Sequence, residues 1–396
     1  MNKKLLAVAV AGALAAPGVA FAQASSVTIS GFFKVGWENL NYGNAVATRL
    51  NSSQNRVVDN SSRVIFNSVE DLGNGLSAVG QLDIRFAPDQ AGSIGATLGN
   101  PIGSGNTFVG LKSTSWGMLT AGRWDLHYGK GPSEMTRGAG ALQASDVSLF
   151  DYIGAAPIAN ATRTQNVVKW DSPMWGGFDA TIAWSANPGN AVGGEADMTN
   201  PAAAGGSSRK GDAWNVNPRY SNGPFAIEYS YWRARPDAPV AATLDQRGDT
   251  LTGKYTIGGF KIGLGWNKSR LDTAVGVGAV GAGTVADQRT TWSVAGQYNW
   301  GPNTIFAHYD HAGNISCGFA VCTGTTGTST SARMYALAYE YALSKRTSLA
   351  ATYAQIKNDA NINYNFFTSN SLGSADAVTA AGENPRLFQM TILHRF

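Results

Sequence analysis

The sequence predicts an all-β chain closed into an antiparallel transmembrane barrel of sixteen strands. Three observations carry that prediction. Hydrophobicity alternates with period 2 from about residue 27 to the terminal Phe396, short and long connections follow one another in turn, and an export leader precedes both. Phe178, Ala180, Ile182 and Trp184 share one face against Asp179, Thr181 and Ala183. Phe260, Ile262, Leu264 and Trp266 do the same against Lys261, Gly263 and Gly265, as do Leu337, Tyr339 and Tyr341 against Ala336, Ala338 and Glu340. Side chains alternate across a strand, so each segment has one apolar and one polar or small face. Charged residues make up only 14% of the chain, where soluble domains carry about 25%. A barrel whose outer face meets lipid needs few of them.

The elements follow in order. Met1 to Lys4 is basic, Leu5 to Ala16 is apolar, and Ala20-Phe21-Ala22 fits a small-x-small cleavage site, so residues 1–22 read as a signal peptide and 23–396 as one barrel domain. The apolar run is too short to span a bilayer, which takes about 20 residues. Cleavage removes Lys3 and Lys4 and no acid, taking the formal charge from +4 to +2. That balance gives no basic surface for nucleic acid.

Turn signals at 70–75, 113–117, 172–177, 221–224, 258–259, 300–303 and 344–346 are short. Long connections near 39–60, 88–104, 125–162, 188–211, 236–247, 271–288, 312–331 and 358–384 are rich in Gly, Ala, Asn, Thr and Ser, as water-exposed loops are. Fifteen connections give sixteen strands. An even count with short turns at one end and long loops at the other is the outer-membrane barrel layout, and it puts both termini at the periplasmic end. Cys317 and Cys322, the only cysteines, predict one disulfide in a surface loop. His308 and His311 fall on opposite faces of a strand and do not form a metal pair.

The stretches Ser62 to Leu76, Phe108 to Arg123, Arg163 to Pro173, Tyr341 to Thr347 and His394-Arg395-Phe396, taken in their order and spacing, resemble the Gram-negative trimeric porins of the β-proteobacterial and neisserial type. Ser62-Arg63 through Glu70-Asp-Leu-Gly-Asn-Gly75-Leu76 is similar to that family's early hairpin. Phe108-Val-Gly-Leu111 with Trp116 to Arg123 is similar to the next one. Arg163 to Pro173 resembles the strand after its third loop, Tyr341 to Thr347 its last periplasmic turn, and His394-Arg395-Phe396 its C-terminal assembly signal. The resemblance implies a homotrimer in the outer membrane, recognition of Phe396 by the assembly machinery, and a third loop, 125–162, folded inward to narrow the barrel. Relatives often carry an acid where this chain has Lys34. No Pro-Glu-Phe-Gly-Gly motif marks the third loop, so its constriction residues do not follow from motif alone.

Parity supplies lumen candidates. With Ile29, Phe33, Val35 and Trp37 toward lipid, Lys34 faces inward; with Val64 and Phe66 outward, Arg63 faces inward; with Leu82, Ile84 and Phe86 outward, Asp83 and Arg85 face inward. The resemblance adds Arg123. Strict parity puts it on the face of Leu119 and Ala121, so only a bulge or strand end near Gly122 turns it inward. The loop acids Glu134, Asp146 and Asp151 are expected opposite this wall, setting a field across the narrowest point. A pore of this kind sorts by width and wall charge. The expectation is passive diffusion of small hydrophilic solutes and ions with a mild anion preference and no cofactor. The alternatives are a substrate-specific channel, or a surface adhesin or scaffold on the same barrel. Enzymatic activity is not expected: there are four histidines, and neither His127 nor His308 sits in a nucleophile motif.

Overall fold

The computed structural model describes residues 25–43, 53–89, 102–153, 156–157, 163–186, 212–235, 243–274, 284–316, 328–367 and 380–396. The expected leader at 1–22 and the Cys317–Cys322 pair lie outside the described residues.

Sixteen strands close into one antiparallel barrel. They are β1 (Ser25–Asn41), β2 in two pieces (Ser53–Asp59 and Arg63–Gly73), β3 (Leu76–Arg85), β4 (Thr107–Ser113), β5 (Gly117–Trp124), β6 (Thr164–Asp171), β7 (Phe178–Ser185) and β8 (Asp212–Asn222). Then come β9 (Phe225–Arg235), β10 (Thr243–Ile257), β11 (Phe260–Ala274), β12 (Thr284–Trp300), β13 (Asn303–Ala312), β14 (Ala332–Ala342), β15 (Thr347–Asn358) and β16 (Arg386–Arg395). Each pairs with its sequence neighbour, and β1 also pairs with β16 from Phe32↔Arg395 to Asn41↔Arg386. Closure leaves no free edge, as lipid requires. The short turns need left-handed backbone: Asn74 and Gly75 have φ of 52° and 75°, the pair favoured in tight hairpins. The structure runs Glu70 to Leu72 as strand, so this turn is tighter than its residues suggested.

Polarity is inside out. Phe33, Trp37, Ile182, Leu264, Leu337, Met390 and Ile392 are exposed on the outer face, while Glu38, Asp83, Asn215, Asn267, Arg289, Asp310 and Gln389 are buried within. At the short-turn end, Trp175, Phe178, Phe260, Tyr298 and Trp300 are exposed aromatics, with Phe260 stacked on Tyr298 at 4.1 Å. This is the interfacial girdle of a membrane barrel.

The inner face is asymmetric. Along β14 and β15, inward Ala336, Ala338 and Ala354 are small and buried. On β11, a Cβ added at Gly265 would come within 2.6 Å of Pro132 of the 125–163 connection. These small residues form the seat for that connection, which carries two 3-10 turns, Met135–Arg137 and Leu142–Ala144, and the short helix α1 (Val147–Phe150). Met135, Ala141, Ala144, Leu149 and Ile153 pack there with Met334 and Ile356.

The last long connection departs from the water-exposed loop expected of it. Its described start folds inward, and Ile362, Tyr364, Phe366 and Phe367 are all buried. The Phe367 amide donates to Ser148 Oγ at 2.7 Å, and the Phe367 ring lies 5.5 Å from that of Tyr128.

Candidate functional site

The third loop is laid against the β9–β16 side of the barrel by contacts from successive strands. His127 Nδ1 lies 2.8 Å from Ser230 Oγ on β9, and Thr252 Oγ1 on β10 donates to the Lys130 carbonyl. Burial pushes the His127 imidazole down to about 3, so it packs as a neutral ring. At the tip, the Ala139 amide donates to Glu340 Oε2 at 2.9 Å, that of Ala141 to Thr352 Oγ1 at 3.1 Å, and that of Leu142 to Asn60 Oδ1 at 2.7 Å. Asn60 sits in the break of β2, where the Ser61 and Ser62 amides both donate to the Asp59 carboxylate and Ser61 takes a φ of 71°. The interruption re-aims the side chain toward the loop, as bulges beside functional sites do.

On the return, His308 Nε2 meets the Ala144 carbonyl at 2.8 Å. The buried Arg289 guanidinium on β12 donates to the carbonyls of Phe150 and Tyr152. A helix of one turn leaves its last carbonyls unpaired, and Arg289 satisfies them.

The opposite wall, β2 to β8, carries long charged side chains. Arg63 and Arg85 face each other across β2 and β3 and flank Asp83, at 3.7 and 3.3 Å. Arg85 also reaches Asp125 at 3.8 Å. Arg163 lies within electrostatic reach of Arg85, Asp125, Tyr128 and Arg123. Nε of Arg85, Nε of Arg123 and Nη1 of Arg163 are buried without a hydrogen-bond partner. Further round, Lys169 Nζ sits 3.4 Å over the Trp124 ring and 2.5 Å from Asp171, and Arg219 pairs with Asp179 at 2.6 Å.

The sequence candidates therefore divide. The structure brings Arg63, Asp83 and Arg85 together on one wall. Lys34 lies beside Arg63, buried under the loop tip, with its Nζ 3.1 Å from the Thr136 carbonyl. Arg123, the penultimate residue of β5, lies within electrostatic reach of Asp125 and Arg85, at a register shift between Gly122 and Trp124.

The loop acids do not line up as a negative face opposite these bases. Glu134 is held by Lys254 at 2.6 Å and Lys261 at 3.6 Å. Asp146 accepts the Ser133 amide at 2.8 Å and Asp151 the Gly129 amide at 3.1 Å, and both are only 3% exposed. They organise the loop's own turns, where a short acceptor is needed. Sequence reasoning missed Arg163, Asp125 and Lys169 as wall residues. Arg163 and Lys169 stood in a segment already notable for its resemblance; Asp125 had no periodic signal.

The two buried loop acids carry a pH dependence. Burial raises the Asp151 carboxyl to about 7 and also raises that of Asp146, which feels the nearby Asp310 carboxylate as well. A group whose folded pKa lies above its unfolded value, about 3.9 for Asp, binds protons more tightly when folded. Its ionisation costs packing stability as pH rises through the folded value, and that cost is relieved as pH falls. The protection factors of amides 143–151, in which the base-catalysed rise of intrinsic exchange is divided out, are therefore expected to be higher at pH 5.5 than at pH 8. Asp151→Asn is expected to flatten part of that difference; equal protection factors at both pH values count against it.

A membrane barrel narrowed by an internal loop, with a polar inner wall and an aromatic girdle, defines the class of outer-membrane channels. The chain belongs to the Gram-negative porin family, whose sequence profile matches residues 7–361. An outer membrane porin protein of Bordetella pertussis is 29% identical over 391 residues, 91% of this chain and 95% of that one. The major outer membrane protein P.IB of Neisseria meningitidis is 28% identical over 58% of each chain. Among solved structures, the anion-selective porin from Comamonas acidovorans superposes with a TM-score of 0.70 at 19% identity, covering 94% of this chain and all of that one. The protein is thus an integral outer-membrane porin, a channel and not an enzyme.

Proposed function

We propose that the channel passes small hydrophilic solutes and ions by passive diffusion with a mild preference for anions, and that it works as a homotrimer. The observation that carries the preference is the charge of the β2–β6 wall. Among the described residues, Arg63, Arg85, Arg123 and Arg163 gather around two acids, Asp83 and Asp125. The loop offers no compensating negative face, because Glu134 is paired with lysines and Asp146 and Asp151 are buried. Charges lining a narrow passage raise the local concentration of the opposite ion. The anion-selective Comamonas porin with this fold supports the same reading. The trimer rests on family membership and on the apolar outer surface of β1, β2 and β16, where Trp37, Val57 and Met390 are exposed.

The test is the reversal potential of the purified protein in planar bilayers across a KCl gradient, with native mass measurement in mild detergent on the same sample. Anion preference at low salt is expected, shrinking toward unity near 1 M, where charges are screened over about 3 Å. Cation preference at low salt would refute the sign of the wall, and a monomeric mass would refute the trimer.

A further inference from the structure

One cavity beside the constriction holds four bases and no acid. It has a volume of about 200 Å³ and lies between β1, β2, β16 and the tip of the third loop, whereas in a neighbouring cavity of about 450 Å³ Glu134, Asp179 and Glu228 balance the bases. Lys34, Arg63, Arg137 and Arg395 line the smaller one, with Asn60 and Ser61 as polar neighbours. At roughly 30 Å³ per water it has room for about six.

The four bases are under-compensated. The Lys34 ammonium is 3% exposed and has three donors, of which the Thr136 carbonyl takes one. Among the described residues no carboxylate lies within 4.0 Å of Lys34 or Arg395. Arg395 donates to the Arg137 carbonyl at 2.9 Å and Arg63 to Ser61, so both are held in place by neutral acceptors. Arg63 and Arg137 reach acids only at 3.7 and 3.6 Å, and those acids, Asp83 and Glu134, are each shared with other bases. Glu340, beside Gly138 at the cavity edge, accepts the Ala139 amide and offsets part of the charge of Lys34, leaving the four bases with a net positive excess. A buried cation without a partner is costly, and neighbouring cations add to the cost. Set around a polar cavity, with the exposed Arg137 guanidinium at its rim, such a group is a receptor for negative charge.

We propose that this cavity binds a small multivalent oxyanion, such as phosphate or the phosphoryl end of a solute, through Lys34, Arg63, Arg137 and Arg395. A multivalent anion offers several acceptors to donors arriving from four different segments, which a monovalent halide does not, and charge-assisted bonds of this kind are the strong ones. The site rests on the barrel being an open aqueous channel and not on its preference for chloride over potassium. A solute held here would be slowed beside the narrowest part of the passage, giving the channel a substrate class within a general pore.

The experiment is single-channel recording in KCl with inorganic phosphate added, against added KCl of equal ionic strength. Phosphate is expected to reduce the chloride current saturably in the native protein. Lys34→Met and Arg395→Gln are each expected to raise the half-blocking concentration at least tenfold, Lys34→Arg to restore it, and Lys345→Gln on a periplasmic turn to leave it unchanged. A half-blocking concentration unaffected by both Lys34→Met and Arg395→Gln overturns the site, as does a phosphate effect no larger than the KCl control. A channel that prefers potassium in KCl but is blocked by phosphate through Lys34 keeps the site and loses the selectivity reading. One that prefers chloride and ignores phosphate does the reverse.

Discussion

Replacing Arg63, Arg85 and Arg163 together with Gln is expected to reverse the ion preference of the channel. The three bases surround Asp83 and Asp125, which would then stand without them. One unit charge at roughly 7 Å in water is worth about 0.6 kcal/mol, so three shift each ion by roughly 1.8 kcal/mol in opposite directions, or about 3.6 kcal/mol in the anion-to-cation ratio before screening. Salt at 0.1 M screens over about 10 Å, which roughly halves the energy at this distance and leaves about a twentyfold change in the ratio. The reversal potential across a KCl gradient should change sign at low salt, and conductance should rise because three long side chains are shortened. A triple variant that assembles normally and keeps its anion preference would mean that the selectivity arises elsewhere in the lumen.

Arg289→Leu is expected to loosen the third loop while leaving the barrel intact. Arg289 is 1% exposed and holds the carbonyls of Phe150 and Tyr152, with Asn267 Oδ1 at 3.2 Å behind it. Leucine fills part of the volume but donates nothing, and each carbonyl left unpaired costs about 1–3 kcal/mol. That cost falls on the loop, since the β12 ladders to β11 and β13 use backbone groups only. Single-channel records should show higher mean conductance and more open-channel noise, with thermal unfolding of the barrel nearly unchanged. Arg289→Lys should recover part of the quiet state. Noise equal to the native protein in the leucine variant would show that the loop's other contacts suffice to hold it.

The barrel was legible because its signals are periodic. Alternation puts Lys34, Arg63, Asp83 and Arg85 on the polar face of their strands; Lys34, Asp83 and Arg85 are buried, and Arg63 lies 3.7 Å from Asp83. Turn chemistry gives the strand count, since Gly and Asn mark the points where the backbone must become left-handed. The loop was not legible, because a connection without period does not say which way a carboxylate points. Asp146 and Asp151 look in the sequence like solvated acids, yet each is spent on an amide of its own loop. Arg123 stayed ambiguous for the same reason: parity fails where the register between β5 and β6 shifts. A missed signal was present in the last connection, where Ile362, Tyr364 and Phe366 keep period 2 outside any barrel strand and are buried.

The pairing of β1 with β16 has a consequence for how the molecule comes into being. Phe32 meets Arg395 across the seam, the Phe396 amide donates to the Gly31 carbonyl, and the Phe396 ring rests against Phe33. Every other neighbouring pair is joined by a stretch of local chain, but these partners are on the order of 360 positions apart. By loop-closure entropy alone, bringing them together costs about 4 kcal/mol more than closing a four-residue turn. The seam is therefore the last zipper to shut. Until it does, the nascent sheet has two raw borders, one at each terminus, that invite pairing with any passing strand. The Phe396 ring against Phe33 acts as the clasp: the sheet becomes insensitive to such partners only once β16 has found β1.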